Sequence, residues 1–225
     1  MNTFMTAKEY LMSILKIEQP KLPADMPPLV LKEERMEPED SFHTGIISQC
    51  DIDNQRAYKV AFDKIIFRNV TFSRISMKEI ELTDVIFEKC DLSNVDFGTA
   101  TIHRTEFRDC KIMGMNLSDA TIRNTGFYNC LGDYLTLRMA NLKQVLFHQC
   151  SLIGADFYEA TVQKIALEDC KLDQAQLSGV KLEGIDLSTN SFARLGVNVE
   201  NLRGCIISRE QAAVFANLIG LQLKD

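Results

Sequence analysis

Large apolar residues recur at every fifth position along most of this chain. The stretch from 88 to 112 reads EKCDLSNVDFGTATIHRTEFRDCKI, and its large apolar residues are Leu92, Phe97, Ile102, Phe107 and Ile112. An α-helix repeats every 3.6 residues and a β-strand every two, so neither element by itself explains this interval. The backbone must therefore turn at regular steps of five residues.

The register holds for nearly 150 residues without an insertion or deletion. Of the 30 positions ending in 2 or 7 from Phe62 to Ile207, 29 hold Phe, Leu, Ile, Met or Val, and only Gly132 does not. Of the 30 positions two residues earlier, 26 are apolar; the exceptions are Thr105, Thr125, Asn190 and Glu200. The other three positions of each quintet are mostly polar. Two inward columns and three outward positions per quintet are therefore predicted.

A residue and its second neighbour share one face of an extended segment, so the two apolar columns lie on the same side of the backbone. Short extended pieces joined by regular turns wind into a solenoid, whose coils pair through backbone hydrogen bonds about 4.8 Å apart. Two series step by twenty residues: Cys90, Cys110, Cys130, Cys150 and Cys170, and Phe67, Phe87, Phe107, Phe127 and Phe147. Cys50 lies two steps before Cys90 and belongs to the same series. Four quintets therefore make one four-sided coil.

Gly132 breaks the central column, within the run CLGDYLTL. A missing side chain is expected to leave a void, and voids inside a core are costly. Leu135 is large for its column and is expected to fill the space, or Leu131 to swing inward. A local bulge is the expected backbone response.

Runs such as CDLSN, VDFGT, ANLKQ, ADFYE and VKLEG closely resemble the A(D/N)LXX signature of pentapeptide-repeat proteins. The resemblance covers roughly residues 45–207. It implies an all-β fold, the right-handed quadrilateral β-helix of that family. The handedness comes from the resemblance, whereas the solenoid follows from the period alone.

The two ends of the chain depart from the repeat. At the C-terminus, residues 208–225 contain a capping box, Ser208 with Gln211, followed by an apolar stripe and Gly220, which predicts a short helix. At the N-terminus, residues 1–44 begin with a second capping box, Thr6 with Glu9, and a predicted helix. A connector with four prolines and the acidic run EERMEPED follows; it is expected to be extended and to pack loosely or not at all. The repeats thus occupy residues 45–207.

Composition limits the classes of function. The formal charge is −6, which argues against direct, sequence-independent binding to nucleic acid. No apolar run is long enough to span a membrane, and charged residues interrupt the N-terminal apolar segment, so it does not read as a signal peptide. Seven cysteines without a CxxC pair favour reduced thiols and a cytoplasmic protein.

Catalytic motifs are absent from the sequence. No GxGxxG, Walker, HExxH or GxSxG pattern occurs. The three histidines, His43, His103 and His148, are interpreted as solvated surface residues, and the cysteine series as small inward hydrophobic residues rather than metal ligands. The sequence therefore predicts a non-enzymatic protein with no cofactor and no metal.

Charge is unevenly distributed over the four walls. The Phe wall is the side whose quintets centre on Phe67, Phe87 and Phe107; the opposite wall centres on Met77, Phe97 and Leu117. Each of the two has a net charge of about −3, counted from residue 61 to 207, and a basic ladder of His103, Arg123 and Lys143 runs along a third wall. The candidate partner-binding acids are Glu88, Glu106, Asp109, Glu168 and Asp169 on the Phe wall and Glu79, Asp96, Asp119, Asp156 and Glu159 on the opposite wall.

The C-terminal run LRGCIISREQAAVFANLIGLQL is similar to the ending of the quinolone-resistance (Qnr-type) members of this family. The resemblance implies a homodimer joined end to end by a helix and a final strand, with Phe215, Leu218, Ile219, Leu221 and Leu223 in the seam. It also implies a DNA mimic, with the acids in place of phosphates, that binds DNA gyrase or topoisomerase IV and protects it from quinolones. The alternative is a pentapeptide-repeat scaffold for protein–protein interaction with another partner.

Overall fold

The computed structural model describes residues 15–31, 36–218 and 220–222, which form a parallel β-solenoid followed by a C-terminal helix. The predicted all-β solenoid is confirmed. The predicted N-terminal capping box, Thr6 with Glu9, lies outside the described residues. None of the described helices has the length and apolar content that a membrane span requires.

The long strands form one parallel sheet that runs along the solenoid. Seven strands of eight residues pair in parallel in the order β1-β4-β7-β8-β9-β10-β11, and the remaining strands are short. The strands are β1 (Ser41–Ser48), β2 (Asp51–Asp53), β3 (Arg56–Tyr58), β4 (Ala61–Arg68), β5 (Thr71–Ser73), β6 (Ser76–Lys78), β7 (Glu81–Glu88), β8 (Thr101–Arg108), β9 (Thr121–Tyr128), β10 (Asn141–His148), β11 (Thr161–Glu168), β12 (Ala175–Gln176) and β13 (Leu195–Gly196). A 3₁₀ turn (Val199–Leu202) and helix α1 (Ala212–Leu218) complete the fold.

The coil length of twenty residues is visible in the strand register. Phe87 pairs with Phe107, Phe107 with Phe127, and Phe127 with Phe147, so stacked residues differ by twenty in sequence. The Phe rings stack with centroids 4.5–4.8 Å apart and planes 5° from parallel. The five-residue period is thus converted into columns of equivalent side chains.

Each coil turns its corners through left-handed backbone. The residue two positions after the central one has a positive φ, as at Asn69 (51°), Asn94 (58°) and Asn129 (53°). Asn and Asp tolerate this conformation better than most residues, which explains their frequency in the outward positions. Where the same position holds Gly114 (φ 62°), the conformation costs little because glycine has no Cβ.

Two backbone geometries serve the same repeat. The 8-residue strands span two quintets of each coil. From Asp91 onward, the other two quintets of each coil form β-turns instead. In one of these turns the Val95 N–H donates to the Leu92 carbonyl (3.3 Å). In these turns the residue before the central one caps the chain: Asp91 accepts from the Ser93 N–H (3.0 Å) and Asp96 from the Gly98 N–H (3.1 Å). This capping is the physical role of the Asp or Asn in the repeat signature.

The core is filled by the two inward columns. Leu92 and Phe97 are 0% and 1% exposed, as the period predicts. The five cysteines from Cys90 to Cys170 are buried, and each thiol donates to the carbonyl of the Phe 23 residues earlier, as Cys110 does to Phe87 (3.4 Å). Cys50 has the same register but is exposed.

The expected bulge at Gly132 does not occur. Leu131 pairs with residues twenty before and twenty after it, Lys111 and Ser151, so the register is unbroken. Leu131 is 49% exposed and does not swing inward. A Cβ at Gly132 would lie 3.1 Å from Leu152 and 3.2 Å from Ile112, because the central side chains of the neighbouring coils close over the gap.

The C-terminal cap is built as predicted. Ser208 and Gln211 form a reciprocal capping box, with the Ser208 N–H on Gln211 Oε1 (2.9 Å) and the Gln211 N–H on Ser208 Oγ (3.3 Å). The Gln211 amide also donates to the carbonyls of Leu187 (2.8 Å) and Asn190 (2.7 Å), which the next coil would otherwise have paired. Gly220 has a φ of 79° and ends the helix.

Candidate functional site: the open walls and the N-terminal strap

The outer walls carry the side chains that a partner would meet. Three positions of each quintet point outward, and they alternate with the buried columns along every coil. Among the residues that the structure describes, no three His, Cys, Asp or Glu side chains are placed to hold a metal ion. A cavity of about 340 Å³ at the N-terminal end is lined by Leu29, Met36, Ile52 and Gln55, among others.

The opposite wall presents two kinds of acid. Glu79, Asp119 and Glu159 are exposed at the same corner of alternate coils, and none of them is in an ion pair with another described residue. Asp96 and Asp156 are half-buried and paired, with Lys78 at 3.8 Å and Arg138 at 2.7 Å. Of the five acids predicted on this wall, three are therefore open and two are neutralised by neighbours.

The Phe wall is more fully paired. Glu88 accepts from Arg68 (2.7 Å) and Glu168 is 2.8 Å from His148 Nδ1, so both carboxylates have partners one coil away. The Glu106 carboxylate is 4% exposed and accepts from Arg108 Nε (2.6 Å), so this predicted partner-binding residue is not presented at the surface. Asp109 and Asp169, the other two predicted acids of this wall, are exposed.

Two of the predicted solvated histidines are also partly covered. The His148 side chain is 14% exposed beside Glu168. His103 lies 2.6 Å from Arg104 Nη1, and burial together with Arg104 and Arg123 lowers the pKa of its imidazole. Only His43, with 65% of its side chain exposed, has the surroundings that the sequence interpretation assigned to the three histidines.

The N-terminal connector packs against the solenoid instead of hanging free. Residues 15–31, called the strap below, run down the edge of the Phe wall from the coil of Gln144 to the first coil. At its lower end the Ile46 N–H donates to the Pro27 carbonyl, and the Leu29 N–H donates to the Ile46 carbonyl, both at 2.8 Å. The prediction of loose or absent packing is therefore wrong for these residues.

Polar side chains of one corner column hold the upper part of the strap. This corner column consists of Asp84, Arg104, Asn124 and Gln144, which occupy the left-handed corner position of successive coils. Gln144 Nε2 donates to the carbonyls of Leu15 (3.3 Å) and Lys16 (2.6 Å). Asn124 Oδ1 accepts from the Glu18 N–H (3.3 Å), and Asp84 Oδ1 accepts from the Lys21 N–H (2.8 Å). All four bonds go to strap backbone, not to strap side chains.

A buried ion pair lies within the corner column. Arg104 donates to both carboxylate oxygens of Asp84, at 2.6 and 2.8 Å, and the Asp84 side chain is 3% exposed. Burial raises the pKa of Asp84, but the bonds from Arg104 and from the Lys21 N–H outweigh it and leave the pKa below its usual value. The carboxylate is thus charged, fully paired and in contact with the strap at neutral pH.

Apolar contacts seal the top of the strap. Leu15 is 8% exposed and packs with Tyr128 and Leu146, and Ile17 packs against the same cluster. The Tyr128 ring lies back over Gly126, where a Cβ would be 2.3 Å from the tyrosine oxygen. Glycine at this outward position therefore makes room for a tyrosine beneath the strap.

Apolar residues at an outward position of the Phe wall mark the edge that the strap covers. The outward position before the central residue of this wall is apolar in several coils, where it holds Ile46, Ile66, Ile86 and Leu146. Ile86 and Leu146 are 9% and 0% exposed. An apolar column at an outward position predicts a covering segment.

The predicted dimer seam is partly described. Phe215 packs on its own chain, edge-on to Phe192 with centroids 5.9 Å apart. Leu218 and Leu221 are 39% and 55% exposed at the C-terminal end. Ile219 and Leu223 lie outside the described residues, and Leu221 and Gln222 are not in a strand.

Comparison with known proteins gives a family and several partial likenesses. The model of the pentapeptide repeat region matches residues 80–132 and 100–177. The uncharacterized protein YisX of Bacillus subtilis (strain 168) is 36% identical over 94 residues, which are 42% of this chain and 44% of YisX. The alignment therefore spans less than half of that relative.

Two solved structures were also matched at low identity. A trypsin-treated variant of QnrB1, a plasmid-mediated fluoroquinolone resistance protein, is 15% identical with a TM-score of 0.45, over 81% of this chain and 99% of that one. HetL, involved in heterocyst differentiation regulation in Nostoc sp. strain PCC 7120, is 15% identical with a TM-score of 0.31, over 91% of each chain. The family model thus identifies pentapeptide repeats over residues 80–177, and the twenty-residue register of the coils continues on both sides of that range.

Proposed function

We propose that this protein is a non-enzymatic binding scaffold and that it binds DNA gyrase or topoisomerase IV as a DNA mimic. The row of Glu79, Asp119 and Glu159 on the opposite wall carries the proposal, because these three acids are exposed and form no ion pair with described residues. They repeat every second coil, so they are spaced by roughly 10 Å along the solenoid. A straight row of fixed negative charge is what a basic DNA-binding channel would attract.

The sequence resemblance supports the class of partner, and the exposure of the three unpaired acids supports the choice of surface. Asp96 and Asp156 lie between the open acids but are paired with Lys78 and Arg138, so they add little net charge. On the Phe wall only Asp109 and Asp169 of the predicted acids are exposed without an ion pair among the described residues. The opposite wall is therefore the surface proposed to meet the topoisomerase.

Dimerisation through the C-terminus would lengthen this acidic row. Leu218 and Leu221 are exposed apolar residues at the end of the solenoid, and Ile206 nearby is 50% exposed. Two copies joined there would cover these side chains. Light scattering tests this step: Leu218→Glu is expected to halve the mass of the wild-type particle, and an unchanged mass rejects the seam.

A supercoiling assay tests the proposed function. The wild-type protein at micromolar concentration is expected to inhibit gyrase or topoisomerase IV, or to protect it from ciprofloxacin. The triple variant Glu79→Gln, Asp119→Asn and Glu159→Gln is expected to lose most of this effect. The matched control is Asp96→Asn with Asp156→Asn, which removes the paired acids of the same wall and is expected to retain the effect. Neither inhibition nor protection by the wild type would reject the topoisomerase as partner.

A further inference from the structure

The corner column holds the strap through hydrogen bonds to the strap backbone, not to its side chains. Gln144, Asn124 and Asp84 make their bonds to main-chain carbonyl and N–H groups of residues 15–21. The side chains of Glu18 and Lys21 are 49% and 66% exposed, so the corner column does not select them. Two of the four bonds go to the carbonyls of Leu15 and Lys16 at the end of a helical turn, and the other two come from N–H groups of the residues that follow.

An apolar cluster beside the corner column contacts apolar side chains of the strap. Leu15 packs against Tyr128 and Leu146, and Ile17, two residues later, packs against the same cluster with Ala166. Leu15 ends a helical turn and Lys16 has a left-handed φ of 54°, so the chain bends between these two apolar side chains. The surface therefore favours a segment with two apolar residues on either side of a turn residue, followed by a stretch bound through its backbone.

The strap does not satisfy this surface completely. Asn124 is 1% exposed, and its Nδ2 has no hydrogen-bond partner among the described residues. Its Oδ1 accepts only a long bond, 3.3 Å, from the Glu18 N–H. A buried amide normally pairs both its donor and its acceptor, and an unpaired buried donor is unfavourable. A peptide that placed a carbonyl near Nδ2 would fit this site better than the strap does.

From these three observations we propose that the corner column, with the Tyr128–Leu146 cluster, is a binding site for a peptide segment of a partner protein that ends a helical turn and then follows the column. The strap is then a cis occupant that the partner segment displaces. A tethered segment acts at an effective concentration on the order of millimolar, so it blocks weak ligands and yields to better-matched ones. The partner segment carries two apolar residues on either side of a turn residue, as Leu15 and Ile17 flank Lys16. Its binding does not depend on the acidic row of the opposite wall.

The test uses the full-length chain and a fluorescent peptide, LKIEQPKLPAD, which has the sequence of residues 15–25. The strap variant Leu15→Asp with Ile17→Asp weakens the cis occupant without changing the corner column. By fluorescence anisotropy this variant is expected to bind the peptide at least tenfold more tightly than the wild type does. Adding Gln144→Ala to the strap variant is expected to weaken binding at least fivefold, because two backbone bonds are lost. Equal, undetectable binding by the wild type and a folded strap variant would overturn the proposal.

A second measurement on the wild-type chain covers the case in which the strap variant does not fold. Amide exchange of Glu18 and Lys21 is followed with and without a large excess of the unlabelled peptide. Displacement predicts that both amides exchange at least fivefold faster when the peptide is present. A control peptide with Asp at the two apolar positions is expected to have no effect. Unchanged exchange at millimolar peptide would also overturn the proposal.

Discussion

The Phe wall and the opposite wall use the same position of the repeat in different ways. At the position before the central residue, the Phe wall carries Ile86 and Leu146, which are 9% and 0% exposed, and Leu146 packs with Leu15 of the strap. At the same position the opposite wall carries Asp96 and Asp156, which cap their own turns and pair with basic residues of the neighbouring coil. The period fixes what points inward on both walls, but the outward residues differ because only one wall is covered by the chain itself.

The comparison also separates two kinds of ion pair. Arg104 and Asp84 at the covered edge are 18% and 3% exposed in their side chains, whereas Lys78 and Asp96 on the opposite wall are 63% and 29% exposed. A pair removed from water depends on its partner far more than one that water can solvate. The covered edge is therefore expected to be sensitive to mutation where the open wall is tolerant.

The largest effect is expected inside the solenoid, where the two walls do not differ. Phe107→Ala removes a fully buried ring from the stack of Phe87, Phe107 and Phe127. The cavity left behind is expected to lower the free energy of unfolding by about 3–5 kcal/mol. Chemical denaturation measures this value. A loss below about 1 kcal/mol would mean that neighbouring coils collapse into the space.

The next largest loss of stability is expected at an outward residue of the Phe wall, and not at an outward residue of the opposite wall. Leu146→Ala is expected to lower the free energy of unfolding by about 2–3 kcal/mol, because this side chain is fully buried in the cluster with Leu15 of the strap and Tyr128. Met139→Ala, at an apolar corner residue of the opposite wall that is 52% exposed, is expected to cost less than about 0.5 kcal/mol. Equal, small losses for the two variants would show that the strap does not cover Leu146 in solution.

A smaller contrast is expected between the ion pairs. After Arg104→Ala, the Lys21 N–H is the one described hydrogen-bond donor that the Asp84 carboxylate keeps. We therefore expect the free energy of unfolding to fall by about 1–3 kcal/mol. Lys78→Ala, which removes an exposed pair, is expected to change the free energy of unfolding by less than about 0.5 kcal/mol. Thermal unfolding of the two variants beside the wild type provides the measurement; similar melting temperatures would remove the energetic distinction between the walls.

The sequence was sufficient for the interior and for the C-terminal cap. Leu92 and Phe97 point inward and Ser208 pairs with Gln211 because these features depend on local period and local capping, which neighbouring residues determine. The bulge expected at Gly132 was wrong because the missing side chain is compensated in the coils above and below, where Ile112 and Leu152 close the gap. A single quintet carries no information about that rearrangement.

The covered edge could be predicted only in part. The apolar column of Ile66 and Ile86 indicates that something covers it, but it does not identify the covering segment. The strap itself, with Pro20 and Pro23, has the composition of a linker, and it is held through its backbone rather than through a recognisable motif. The strap backbone bonds to side chains more than 60 residues away in the sequence. Such contacts require no particular side chain in the strap, so they produce no recognisable sequence pattern there.

The smallest expected effect is the pH dependence of the strap. The pKa of Asp84 lies below its unfolded-state value, about 3.9, so the carboxylate stabilises the fold above that pH, and the contribution is lost as pH falls through the lowered pKa. The melting temperature of the wild type is therefore expected to exceed that of Asp84→Asn by a constant margin from pH 7 to about pH 5. Below about pH 4 the margin is expected to shrink, because protonated Asp84 no longer forms an ion pair with Arg104. Asp96→Asn on the open wall is expected to produce a small margin at every pH, since solvent screens its pair with Lys78. If the margin for Asp84→Asn grew on acidification, the sign of this linkage would be wrong, and the Asp84 carboxylate would not be what fastens the Lys21 amide to the covered edge.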